Sequence, residues 1–347
     1  METQRNNADT PPDRLNEDWR YGRPHAYAAE LLALLADRPG DEGDLTLEAT
    51  AALGNIALGG ISLRAEDFGA IGSEYIAKQA LQKKADSMEL SICGSNTAES
   101  PFVIQCIAKG FFVPKLSIVI ETGAHVHIEE THRHSAGSTL LCLRHYSVMP
   151  GASLSLTLRE EGCGDSRAMN ITRICCSGDC KVRQISVHSN HAWAREETSA
   201  ELTGRDAELL LLSANHLQGT QWLDQRTVQH HTTPGAKSRL LYKNVLDDQA
   251  TAIFGGNIRV ETGAHDTDAY LSNLNMMLSE QATMHSLPGL EILADRVRCS
   301  HGSATAPMDA EQLFYLLSRG IPDPAARTLL ANGFLANVWE QFSSTHA

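Results

Sequence analysis

A glycine-led turn returns along this chain at an almost fixed interval, and that recurrence constrains the fold more than any other feature. Gly123, Gly151, Gly178, Gly204, Gly235 and Gly263 stand 28, 27, 26, 31 and 28 residues apart. The tetrapeptide Glu-Thr-Gly-Ala occurs at both 121–124 and 261–264. Each turn leads into a strand-like run, such as PGASLSLTL at 150–158 or GRDAELLLL at 204–212, with room for a second strand before the next turn. A period of this size marks a stacked repeat in which each coil buries its face against its neighbours. Strands without long intervening helices favour a β-solenoid over a βαβ sheet. The competing reading is a β-sandwich, whose loops usually vary more in length.

Strand patterning supports the repeat. Residues 89–92, 115–120, 153–158 and 207–212 read as strands, and Leu154, Leu156 and Leu158 alternate so as to share one face. The flanks read differently. Ala28, Leu31, Leu32 and Leu35 fall on one face of a helix over 24–37, and 66–88 is rich in helix formers. Residues 1–88 are therefore expected to be a polar leader and a helical or mixed segment, followed by a β-helix core over 89–305. A helical segment is expected over 306–347. Asp309 and Gln312 make a capping box there, Leu313, Phe314, Leu316 and Leu317 an apolar face, and Gly320 a stop. Asp323 and Pro324 open a second helix that Gly333 is expected to end, and a third short segment follows over 334–342.

Composition narrows the function classes. A net charge of −13 without a Lys/Arg cluster argues against nucleic acid as a partner. No apolar run approaches the roughly 18 residues that span a bilayer. The first residues carry no apolar stretch of a secretory signal, so the expected compartment is the cytoplasm. The eight cysteines are then thiols, mostly small buried hydrophobes. Cys175, Cys176 and Cys180 lack paired metal-ligand spacing.

Three constellations could carry chemistry. His125, His127 and Glu130 approximate a cupin-like metal motif, with exposed solenoid histidines as the alternative; His132 and His134 read as an extension of the same hydrophilic strand. Cys299 and His301, two apart on a strand, would project to one side as two ligands of a site needing more from elsewhere. Asp224 with His230 and His231 could do acid–base work, but no marked nucleophile lies near. There is no Gly-x-x-x-x-Gly-Lys-[Ser/Thr] and so no ATP site of its own.

The stretch from 241 to 320 resembles the SufB/SufD core family. It carries Tyr242-Lys-Asn-Val-Leu246, Phe254-Gly-Gly-Asn-Ile-Arg-Val260, Asn273-Leu-Asn-Met-Met-Leu278 and Pro288-Gly-Leu-Glu-Ile292. Cys299-Ser-His-Gly302 and Phe314-Tyr-Leu-Leu-Ser-Arg-Gly320 continue in the family's order, and the pattern leans towards SufD. The resemblance implies a right-handed parallel β-helix with flanking helices. It implies a non-enzymatic scaffold of iron–sulfur cluster assembly, paired with a SufB-like paralogue or with itself and docking a SufC-like ATPase. No cofactor is expected to be intrinsically bound; iron or a cluster would be held transiently at a dimer interface by Cys299 and His301. ATPase docking would fall on Phe314, Tyr315, Arg319, Gly320 and Phe334. The sulfur-accepting role of SufB is not carried onto Cys175, Cys176 or Cys180. The alternative is a β-solenoid or cupin-like metal-dependent enzyme or metal sensor.

Overall fold

The computed structural model describes residues 24–49, 56–58, 63, 74–83 and 86–344. The polar leader and residues 66–73 lie outside the described residues. Before the repeats come α1 (Pro24–Asp37), β1 (Asp41–Ala49), β2 (Ile56–Leu58) and α2 (Glu74–Leu81).

Each coil then contributes two strands. One ladder holds β3 (Ser87–Ile92), β5 (Lys115–Ile120), β7 (Thr139–Val148), β9 (Arg167–Cys176), β11 (Trp193–Leu202), β13 (Trp222–His231), β15 (Thr251–Val260) and β17 (Thr283–Ile292). The other holds β4 (Phe102–Phe112), β6 (His125–His134), β8 (Ser153–Glu161), β10 (Lys181–Ser189), β12 (Glu208–Leu217), β14 (Lys237–Leu246), β16 (Asp268–Met277) and β18 (Arg298–Pro307). Neighbours within each ladder are parallel, for example Leu154 with Val182 and Ala168 with Ala194. The chain is a parallel β-solenoid with helices at both ends, not a sandwich.

The register explains the spacing of apolar residues. Ile128, Leu156, Gln184, Leu211, Leu240 and Leu271 stack in one inward column. Leu154, Leu156 and Leu158 all face the core. A buried leucine of this kind contributes roughly 1.5–3 kcal/mol, so the column is a hydrophobic spine interrupted once, by the buried amide of Gln184.

The turns stack as closely as the strands. Five of the six repeat glycines hold positive φ; Gly204 does not, and Asp206 (φ 63°) turns the chain there instead. Gly204 is required by proximity, since a Cβ would lie 1.9 Å from the Gly178 nitrogen. A second row of left-handed turns runs through Gly137, Gly164, Asn190, Gly219 and Asp248. It is hidden in the sequence because Asn and Asp replace glycine at two positions; both tolerate the left-handed region. Carboxylates tie one coil to the next: the Gly137, Gly151 and Gly219 amides donate to Asp165, Asp179 and Asp248 at 2.6, 2.8 and 2.9 Å.

Helices cover the outer faces. Leu31 and Leu35 of α1 and Ile76 of α2 pack with Met169, Trp193 and Trp222 on one ladder, where the two indoles stack at 5.9 Å. On the other ladder lies α4 (Asp323–Ser344), preceded by α3 (Ala310–Ser318). Asp309 caps α3, accepting from the Glu311 and Gln312 amides, and Gly320 (φ 80°) follows its end. The expected stop at Gly333 and the separate third segment are corrected: α4 runs unbroken through both. Val338, with Leu335, Trp339 and Phe342, docks on Ile185, Leu212 and Leu241. That burial outweighs the roughly 1 kcal/mol an internal glycine costs. No helix among the described residues is long and apolar enough to cross a membrane.

Candidate functional site

The solenoid's last coil is built from β17 and β18, whose ladder partners among the described residues are β15 and β16 on one side only. Their outer edges present backbone N–H and C=O groups that a further strand could take up. Beside that edge Leu290, Ile292 and Leu293 are exposed at 38, 38 and 53%.

Cys299 and His301 sit on β18 in register with Ala269 and Leu271, both buried in the core. The inward column that is leucine through several coils therefore ends in an imidazole. Cys299 is half-buried against the core, and burial pushes its thiol pKa up. His301 is exposed. The two side chains share a face, as their spacing predicts. A thiolate and an imidazole are donor types that suit iron or zinc, but two such donors do not close a site by themselves.

The C-terminal residues divide. Phe314 and Tyr315 on α3 are 72% and 56% exposed, and the Arg319 guanidinium lies 5.2 Å from the Tyr315 ring centroid. Gly320 has open space beside it. Phe334 is engaged within the chain: Lys243 Nζ lies 4.5 Å from its ring centroid and donates to its carbonyl at 2.9 Å.

The cupin-like set is not assembled. His125 and His127 point outward, where His125 Nδ1 meets Ser153 Oγ at 2.9 Å, while Glu130 is buried inside. Odd and even positions of one strand face opposite sides, so these three cannot share a metal. His132 and His134 do not extend a hydrophilic surface either; both are buried. The signal available was parity, because they alternate in phase with Val126 and Ile128.

Within the solenoid these residues form a polar core. Glu130 accepts from Tyr146 at 2.7 Å and from His132 at 2.6 Å, and pairs with Arg144. Burial alone would raise the Glu130 pKa, but Arg144, His132 and these hydrogen bonds lower it to about 2. Glu160 pairs through Oε1 with His132 Nδ1 at 2.6 Å and accepts from Asn170 there at 2.8 Å. Further along, Asn215 donates to Asn244 at 2.9 Å, Asn244 to Asn275 at 3.0 Å, and Asn275 to Thr305 of β18 at 3.3 Å.

Asp224 is held by Arg195 at 2.6 Å and by Arg226, not by a histidine. His230 instead meets Glu261 at 2.9 Å, and His231 faces inward to Ser238 at 2.8 Å. Cys176 and Cys180 are buried in the core, and Cys175 lies partly exposed on the outer face with Arg173 Nε 3.3 Å from its sulfur.

A family model described as the SufBD core domain of SUF-system FeS cluster assembly matches residues 102–334. An iron–sulfur cluster assembly SufBD family protein of Synechocystis is 29% identical over 241 residues, covering 66% of this chain and 52% of that protein. The iron–sulfur cluster assembly protein SufD of Escherichia coli is 36% identical over 146 residues, 42% of this chain and 34% of that protein. SufD of Bacillus subtilis is 37% identical over 108 residues, 31% and 25% of the two chains. The matched stretches thus span about half or less of these relatives' length.

Proposed function

Because the chain belongs to the SufB/SufD family of iron–sulfur cluster assembly proteins, we propose that it is a SufD-like scaffold whose terminal coil supplies half of a transient iron or cluster site. The observation that carries this reading is the replacement of Leu271 by His301 in the inward column, at an open ladder edge flanked by exposed Leu290, Ile292 and Leu293.

Pairing with a second solenoid, either a SufB-like paralogue or another copy, would satisfy the strand edges and bury that apolar rim. It would also bring further ligands towards Cys299 and His301. Iron here is cargo. A thiol whose pKa is raised by burial must lose its proton to bind metal, so the half-site is a weak ligand until a partner or the metal lowers that cost. Weak holding suits a site that must release what it receives. The exposed Phe314 and Tyr315, ordered by the capped helix α3, are the surface proposed for a SufC-like ATPase. The role is that of a scaffold, not of a catalyst, and the cytoplasm is the compartment this reading entails.

The test is anaerobic co-expression with a SufC-like ATPase and a SufB-like partner, followed by iron and sulfide assay. The wild-type assembly should carry both, and His301→Ala should lose most of them while the complex persists. Unchanged iron and sulfide in His301→Ala would sink the reading.

A further inference from the structure

Beneath one corner of the solenoid, three successive coils bring His134, Glu160 and His191 together, from the end of β6, the end of β8 and the loop after β10. All three are buried, and their ligand atoms lie within 4.8 Å of one another. Glu160 Oε2 is 3.1 Å from His134 Nε2 and 3.8 Å from His191 Nε2. The other carboxylate oxygen is already held by His132 and Asn170, so Oε2 is the one turned to the two imidazoles. His191 Nε2 has no hydrogen-bond partner, although the residue is only 4% exposed. A buried polar atom left without a partner costs about 1–3 kcal/mol, and it asks for an explanation.

We propose that His134, Glu160 and His191 form a binding site for one divalent transition-metal ion inside the solenoid. Two imidazoles and a carboxylate are a ligand set used by iron(II) and zinc(II). Bonds of about 2.0–2.1 Å place tetrahedral ligand atoms roughly 3.3 Å apart, so the observed spacing closes onto an ion with small side-chain shifts. The far ring nitrogens are also positioned. His191 Nδ1 lies 3.2 Å from Ser166 Oγ, and His134 Nδ1 lies 3.4 Å from Ser138 Oγ. Donation of each Nδ1–H to its serine leaves the Nε2 lone pair directed at the ion. Gly162 keeps the third ligand seated, since a Cβ there would come within 2.7 Å of His191 Cγ. The neighbouring trio Glu130, His132 and Cys142 is less suited, because Arg144 already occupies the Glu130 carboxylate.

This site is independent of the terminal coil, and the experiment separates the two. The full-length, chelator-stripped protein is titrated with cobalt(II) chloride without oxygen, and the visible d–d bands are followed. One equivalent should bind in the Cys299→Ala/His301→Ala double variant as in the wild type. His191→Gln should lose it, and Ser166→Ala should weaken it by about 10- to 100-fold. Bands that persist in His191→Gln, or vanish in the terminal double variant, would overturn the assignment. If His191→Gln loses the wild-type circular dichroism spectrum, anomalous diffraction from cobalt-soaked wild-type crystals decides: a peak between His134 and His191 supports the site, and none there rejects it.

Discussion

His301 stands one coil beyond Leu271 in the same inward column, so an imidazole takes the place that a core leucine would fill if the solenoid continued. Because the coil is the last, the position is exposed and the polar ring is not stranded. His301→Leu should therefore leave the thermal midpoint nearly unchanged, within about 0.5 kcal/mol, as expected for an exposed position. The same change should abolish iron retention by the assembled complex. A melting scan beside an iron assay checks both halves of that expectation.

Phe314 and Tyr315 project from a helix with no buried residues. Phe314→Asp and Tyr315→Ala should leave stability unaltered while a SufC-like ATPase is no longer retained in a pull-down. Phe334→Ala should behave differently, because it removes the Lys243 contact and loosens α4. A drop in melting temperature for Phe314→Asp would show that the surface serves folding instead.

Two glycines of the repeat should respond unequally to alanine. Gly123 has open space around it but φ of 73°, so Gly123→Ala should cost about 1–2 kcal/mol of backbone strain. Gly204→Ala drives a methyl into the Gly178 backbone and should cost more, since two stacked turns must separate. Urea midpoints of the two variants give the comparison.

Acid should weaken the fold in two stages. Burial first, then the neighbouring His230, lowers the His231 pKa to about 4. The unfolded chain then binds the extra proton, so this part of the stability is complete above about pH 6.5 and is lost on descending towards 4. Glu130, lowered to about 2 by its partners against the opposing effect of burial, adds a second loss from about pH 4.5 downward. His231→Gln should reduce the upper stage, to which other buried histidines also contribute, and leave the lower stage unchanged in a plot of melting temperature against pH.

The sequence revealed the solenoid because turn glycines and leucine alternation are local signals. Gly151 announces a turn and Leu154, Leu156 and Leu158 a face, whatever surrounds them. The second turn row was concealed where Asn190 and Asp248 do the work of glycine. The continuity of α4 past Gly333 was also hidden, because it depends on Val338 meeting strands more than 90 residues earlier. The polar interior was the hardest to read. His132, His134 and Glu160 look like surface residues until Arg144 and Asn170 reach His132 and Glu160 from the facing ladder, and Glu160 in turn meets His134. Cys299 and His301 were legible as a pair by spacing, yet their position at the end of a leucine column is a property of the stack.

The asparagine row has a sense as well as a length. Each amide donates towards the terminal coil, from Asn215 to Asn244 to Asn275 to Thr305. At the inner end the Asn215 oxygen accepts from the main-chain amide of His188 at 2.9 Å. A side-chain amide can rotate by half a turn, but a strand N–H cannot. Reversing any single member would set donor against donor or acceptor against acceptor, so the members turn together or not at all. One backbone proton near the middle of the solenoid thus fixes the polarity with which the row reaches its open end.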